Sequence, residues 1–253
     1  MVDLGIKNKI ALVTGASKGI GRGIAVGLAN EGAKMLLVAR SAVELESLRQ
    51  EISINGADHH CFVIDLMSAN GPASLIAEIN EKGLNPEIIV HNLGGSLGIS
   101  NIFASTEDWQ RVWRLNVGIG HELNCEFVPA MIKNNWGRIV HLSTLSTTTY
   151  SGNAPYVSAK CALDGYIKTL SRQVAKHNVI VSAVAPGAIY TEGRYFAKLR
   201  NEDPAMLQKY LDENLPTGRL GEPQDIAPAV ALLCSEQASF MAGSIVAIDG
   251  AGK

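Results

Sequence analysis

Seven short apolar runs, rich in β-branched residues, recur along the chain: Ile10 to Val13, Met35 to Val38, Cys61 to Ile64, Ile88 to Val90, Arg138 to Leu142, Val179 to Val184 and Ile245 to Ile248. Between them lie stretches of helical length and period, among them Gly21 to Glu31, Val43 to Ile54, Trp109 to Lys133 and Tyr156 to Lys176. Strand alternating with helix predicts an α/β fold, a parallel sheet with right-handed crossovers and helices on both faces. The runs are nearly continuous rather than alternating, as expected where both faces of a sheet are covered. No linker, charge block or repeat breaks the series, so residues 1–253 read as a single domain. The one long interruption is Ala188 to Gly221, which follows Pro186-Gly187 and reads as a lid or substrate-binding insertion.

Composition narrows the functional classes. With 47% apolar and 18% charged residues in 253, the chain can bury a sizeable core, and disorder is excluded. Lys and Arg number 22 against 24 Asp and Glu, so no positive field draws a nucleic acid or an anionic membrane surface. No apolar run approaches the roughly 18 residues of a spanning helix, and the first one abuts a glycine turn rather than a cleavage site. A cytoplasmic protein is expected. The four cysteines are scattered and the six histidines show no ligand spacing, so no metal site is expected.

The first strand runs into Thr14-Gly15-Ala16-Ser17-Lys18-Gly19-Ile20-Gly21, followed by a helical pattern. Gly15 permits a tight turn, Gly19 lets backbone N–H groups approach a diphosphate, and Gly21 lets the helix pack close on the strand. A glycine turn at the first strand-to-helix junction favours a dinucleotide. TGASKGIG resembles the TGxxxGIG turn of the short-chain dehydrogenase/reductase family, and the likeness extends from Ile10 to about Gly250. The resemblance implies a Rossmann fold, a doubly wound seven-stranded parallel sheet, with Gly15, Ser17, Lys18, Gly19, Ile20 and Gly21 at the cofactor.

Dinucleotide folds that take NAD commonly place an acid after the second strand, whereas this chain has Ala39-Arg40. Arg40 together with Lys18 resembles the family's NADP pattern, since a 2′-phosphate favours a guanidinium and repels a carboxylate. NADP(H) is therefore expected over NAD(H). The resemblance puts Asp65, with Leu66, at the adenine; the other reading of Asp65 is a cap ahead of Met67. It also sets Asn92 and Gly94 of the segment His91-Asn92-Leu93-Gly94-Gly95 beside the cofactor, where the family's NNAG differs at His91 and Leu93. His91 reads as a hydrogen-bonded core residue. Pro186-Gly187-Ala188-Ile189-Tyr190-Thr191 is similar to the family's PGxxxT, which implies Ile189 backbone groups and the Thr191 hydroxyl at the nicotinamide carboxamide.

Tyr156 and Lys160 form a YxxxK spacing on a helix entered through Pro155, so both lie on one face. A phenol with its reference pKa of ~10 is too weak an acid near neutrality. A neighbouring ammonium and a positively charged nicotinamide are expected to lower it. By the resemblance, Lys160 also holds the nicotinamide ribose, and Asn116 in Arg114-Leu115-Asn116-Val117 holds a proton-relay water. The catalytic hydroxyl has two answers. By the resemblance, the family's usual interval of thirteen back from Tyr156 implies Ser143, whereas counting forward from Gly137-Arg138 puts Thr144 where related chains carry their catalytic serine. Ser143 is preferred, because its smaller side chain has no β-branched restriction.

The implied reaction is hydride exchange between a nicotinamide and a ketone or secondary alcohol, with Tyr156 as general acid/base. Within the family the chain resembles 3-oxoacyl reductases and sugar or polyol dehydrogenases. Ser96 to Phe103, Leu145 to Asn153 and the insertion, with Tyr190, Tyr195, Phe196 and Tyr210, are expected to form the substrate pocket. A catalytically silent nucleotide sensor or scaffold on the same fold is the alternative. Loss of Tyr156 or Lys160 would mark it, and both are present. A homotetramer is expected, paired through the two long helices and through the final strand with Asp249 to Lys253.

Overall fold

Every apolar run becomes a strand. In the computed structural model, which describes residues 3–53 and 58–252, these are β1 (Ile10–Thr14), β2 (Lys34–Ala39), β3 (His60–Val63), β4 (Ile88–His91), β5 (Gly137–Leu142), β6 (Val179–Pro186) and β7 (Ile245–Ile248). All pair in parallel, in the order β3-β2-β1-β4-β5-β6-β7. The connecting helices are α1 (Gly19–Asn30), α2 (Ala42–Ile52), α3 (Gly71–Glu81), α4 (Thr106–Trp113), α5 (Ile119–Lys133), α6 (Ser146–Thr149), α7 (Ala154–Val174), α8 (Tyr195–Glu202), α9 (Pro204–Asn214) and α10 (Pro223–Leu233).

Alternate strand residues face opposite cores. Ala11 and Val13 pack in one core with Ile24, Leu28, Ile226 and Val230 of α1 and α10. Leu12 packs in the other with Leu75, Leu123, Phe127, Leu163 and Ile167 of α3, α5 and α7. Both faces are thus covered by helices, which is why the runs carry no polar alternation. Strand order reverses between β1 and β4, and open α/β sheets form a crevice outside the carboxyl ends of the strands at such a point.

Two predicted helices differ in the structure. The helix expected over Trp109 to Lys133 starts earlier, at Thr106, where Ser105 accepts a hydrogen bond from Asp108 N at 3.1 Å. It is interrupted by a π-helical turn, Arg114–Gly118. The cause is local: Asn116 Nδ2 donates to Val112 O at 2.8 Å and to Gly95 O at 2.9 Å, competing for the helical ladder. The helix expected to end at Lys176 stops at Val174, tightens into a single 3₁₀ turn, Ala175–His177, and turns out at Asn178 with φ +56°. Of the stretch predicted from Val43 to Ile54, α2 covers Ala42–Ile52. Ile54 lies outside the described residues, as does Lys253 at the expected second interface.

Candidate active site

The carboxyl ends of β1, β4 and β5 bring the candidate residues together. Gly15 and Gly19 take positive φ, +66° and +54°, and a Cβ on Gly21 would stand 2.3 Å from Gly15 O. The glycines are therefore dictated by the turn itself. Asn92 locks it, donating from Nδ2 to Thr14 O at 3.0 Å and Gly15 O at 3.1 Å. The first turn of α1 has no side-chain cap. Its N–H groups are open to an anion.

Lys160 projects from α7 into the gap between β4 and β5. Its side chain is buried, and Nζ donates to Leu142 O at 2.5 Å, 5.9 Å from the Tyr156 ring centre. Burial lowers its pKa to about 8, opposed by the charge of Asp164. Asn116 reaches the same place through the π-helical turn, and its Oδ1 accepts from Gly95 N at 3.0 Å. A Cβ on Gly94 would stand 2.8 Å from Lys160 Nζ and 2.9 Å from Asn116 Oδ1, so only glycine admits both. Burial raises the Tyr156 pKa, against a hydrogen bond with Thr144 that lowers it. The lowering expected from Lys160 is not found: burial sets the direction, and Thr144 is the group that opposes it.

The two hydroxyls point different ways. Ser143 Oγ donates to Asp164 Oδ1 at 2.6 Å, on the α7 side of β5. The hydroxyl preferred from the sequence for the reacting oxygen is thus engaged with α7 in this structure. Thr144, the next residue, accepts from Ser146 N at 3.3 Å and donates to Ser146 Oγ at 3.4 Å, and its hydroxyl is close enough to Tyr156 to lower the phenol's pKa. The strand ends at Leu142, so alternation places Ser143 on the helix-covered face and the turn swings Thr144 into the crevice.

A family model described as Enoyl-(Acyl carrier protein) reductase matches residues 15–251. A 3-oxoacyl-acyl-carrier-protein reductase of Aquifex aeolicus is 33% identical over 98% of this chain and 99% of its own. The Escherichia coli enzyme of that name is also 33% identical, over 98% of each. The solved L-sorbose reductase of Gluconobacter frateurii, complexed with NADPH and L-sorbose, superposes with a TM-score of 0.91 at 30% identity, covering 98% of each chain. The chain belongs to the short-chain dehydrogenase/reductase family. It is an oxidoreductase of the kind that transfers hydride between a nicotinamide cofactor and carbonyl or alcohol groups.

In this short-chain dehydrogenase/reductase the remaining cofactor candidates separate. Arg40, at the end of β2, is exposed and makes no ion pair or side-chain hydrogen bond among the described residues. Lys18 is already paired, with Nζ 2.9 Å from Glu44 Oε1, a contact between α1 and α2 that the sequence pattern does not reveal. Asp65 is exposed and accepts from Met67 N at 2.9 Å through Oδ1, closing a turn rather than capping a helix, since α3 starts only at Gly71, while the Leu66 side chain enters the core. Ile189 bridges Gly221 through Tyr190 N to Gly221 O (2.7 Å) and Gly221 N to Ala188 O (2.9 Å). The N–H and C=O of Ile189 itself therefore face away from that bridge. The Thr191 methyl lies 3.0 Å from where a Cβ on Gly19 would be, bringing the end of the segment Pro186 to Thr191, Gly187 included, onto the glycine turn. Ser17 and Ile20 sit half-buried on the turn.

Not all expected pocket aromatics are free. Tyr190, Phe196 and Tyr210 pack with Leu199, Leu207, Leu215 and Leu220 in a small core within the insertion, and Arg200 lies over the Tyr190 ring at 4.1 Å. Tyr195 and Tyr150 stay exposed. His91 is a buried core residue as expected: Nε2 bonds Asn124 Oδ1 at 2.8 Å, and the ring stacks on His141 at 4.5 Å. Burial lowers its pKa to about 4, so it is neutral at pH 7. Sequence reasoning missed Asp164, although its place four residues after Lys160 was a signal.

Proposed function

We propose that the protein is an NADPH-preferring reductase of a ketone, working in reverse on a secondary alcohol, with Tyr156 as its general acid/base and Thr144 as the hydroxyl that holds the substrate oxygen. The observation that carries this is the convergence of Tyr156, Thr144, Lys160 and Asn116 on the crevice beside the glycine turn. The residues fit a dinucleotide: a glycine cradle that any Cβ would fill, an uncapped helix start for the diphosphate, and a buried cation beside the phenol.

When bound, the nicotinamide supplies or accepts the hydride. Tyr156, kept protonated by burial, gives its proton to the carbonyl oxygen, the form suited to reduction. Thr144 donates its hydroxyl hydrogen to the same oxygen and steadies the developing charge. Lys160 orients the ribose and places its ammonium alongside the phenol. The Asn116 side chain is spent on fastening Gly95, so the relay water falls to its backbone carbonyl. Ile189 backbone groups and the Thr191 hydroxyl serve the carboxamide, Asp65 and Leu66 the adenine, and Arg40 the 2′-phosphate. The small-molecule substrate is a 3-oxoacyl thioester or a ketose, the classes named for the relatives. The protein works as a homotetramer, in keeping with exposed Trp113, Leu232 and Phe240.

Turnover of NADPH against a panel of acetoacetyl thioester and ketoses tests the reading. Tyr156→Phe is expected to keep cofactor binding and lose turnover. Arg40→Asp is expected to weaken NADPH by about 2 to 4 kcal/mol without weakening NADH. Lys18→Ala, already neutralised by Glu44, is expected to change the ratio far less. No turnover with any ketone by a chain that binds NADPH would move it to the silent class.

A further inference from the structure

The Tyr156 to Lys160 face of α7 continues for one more turn, to Asp164. The three side chains meet three consecutive residues at the end of β5. Tyr156 meets Thr144, Lys160 Nζ sits on Leu142 O at 2.5 Å, and Asp164 Oδ1 takes the Ser143 hydroxyl at 2.6 Å. Ser143 is buried, and its hydrogen bond fixes the carboxylate on the Lys160 side of the helix. Lys160 and Asp164 are not in direct ionic contact. Their relation is a field across the end of the strand.

We propose that Asp164 is the positioning residue of the active-site lysine: held by Ser143, its carboxylate keeps the Lys160 ammonium charged and seated on the Leu142 carbonyl. This rests on the reading of Lys160 as part of the active site.

A buried ammonium on one carbonyl oxygen is poorly compensated, since a carbonyl carries only a partial charge. The groups around Lys160 leave one source of full negative charge. From α7 it faces Tyr156, which burial keeps protonated, and Asp164. From β5 it faces His141, which burial and the Lys160 charge hold uncharged; behind that ring, on β4, stands His91, also neutral. From the π-helical turn it meets the Asn116 amide, which has no charge. Without Asp164 only the partial charge of the Leu142 carbonyl opposes burial, and the lysine sheds its proton nearer neutrality. The Ser143 hydroxyl, which sequence counting nominates for the substrate, acts here through a second residue.

Asp164→Asn removes the charge and keeps an acceptor for Ser143, so it separates charge from packing. In protein labelled with ¹³C on lysine, the Lys160 Cε resonance is titrated with NADP bound, and the reduction rate is followed over the same pH range. The expected result is a Lys160 midpoint lower by about one pH unit in Asp164→Asn, with the basic limb of the reduction rate moving in the same direction. Ser143→Ala is expected to give a smaller shift, absent when Asp164→Asn is already in place, because both act through one carboxylate. An unmoved Lys160 midpoint in Asp164→Asn overturns the proposal. Normal turnover by Lys160→Ala overturns the active-site reading on which it rests, and the two failures are distinguished by which variant shows them.

Discussion

Ser143 and Thr144 differ by one position, yet their hydroxyls open on opposite sides of a strand end. Thr144→Val is expected to lower turnover about a hundredfold, roughly 3 kcal/mol of barrier, while Ser143→Ala at pH 7 stays within a fewfold of the parent. Saturating NADPH kinetics decide between them, and the reverse ranking would return the role to Ser143. Lys160 carries a stability cost as well. Its pKa is about 8 folded against 10.5 unfolded, so below pH 8 its burial costs about 3 kcal/mol, and that cost is relieved as pH rises from 8 to 10.5. Lys160→Met is therefore expected to abolish turnover and raise Tm by several degrees at pH 7, measured by calorimetry. The shared face of Tyr156 and Lys160 was legible in the sequence because helix spacing is local, whereas Asn116, on a separate element, was reached only through the family resemblance. The choice of hydroxyl was not legible, because it depends on where β5 stops, and neither was the Lys18 to Glu44 pair, which joins separate helices.

At the scale of elements, β4 and β5 set His91 directly against His141 in register. With His91 held neutral down to about pH 4, the unfolded chain takes up a proton from pH 6.5 downward that the folded chain refuses. Stability falls through that window by about 3 kcal/mol from His91 alone. Urea unfolding at pH 7 and 4.5 is expected to show the fall, and His91→Asn, which cannot be protonated, to make it shallower. An equal slope in both proteins would place the acid sensitivity elsewhere. The strands were legible throughout, since continuous apolar runs leave little choice. The π-helical turn was not: apolar periodicity runs straight through Arg114–Gly118, and the break comes from one amide bonding to a loop twenty-one residues back.

For the molecule as a whole, three large apolar side chains stand exposed at separate places: Phe240, fully exposed ahead of β7, Leu232 on α10 and Trp113 at the end of α4. Phe240, with no part of its ring covered within the chain, is the one that a contact between chains would cover. Light scattering at micromolar concentration is expected to give four times the chain mass of 26.9 kDa, and Phe240→Asp a smaller species; a monomer from the unaltered chain would remove the tetramer from the reading. The bridge between Ile189 and Gly221 has a different consequence. It cinches the insertion at its neck, and the residues beyond it carry their own small core of leucines and tyrosines. Such a segment is modular. The sheet, Thr191 on the glycine turn and the residues proposed to handle the proton stay fixed while the stretch from 192 to 220 can be exchanged, lengthened or reshaped, so that selectivity for a substrate can drift in evolution, or be transplanted by design, without re-engineering the chemistry beneath it.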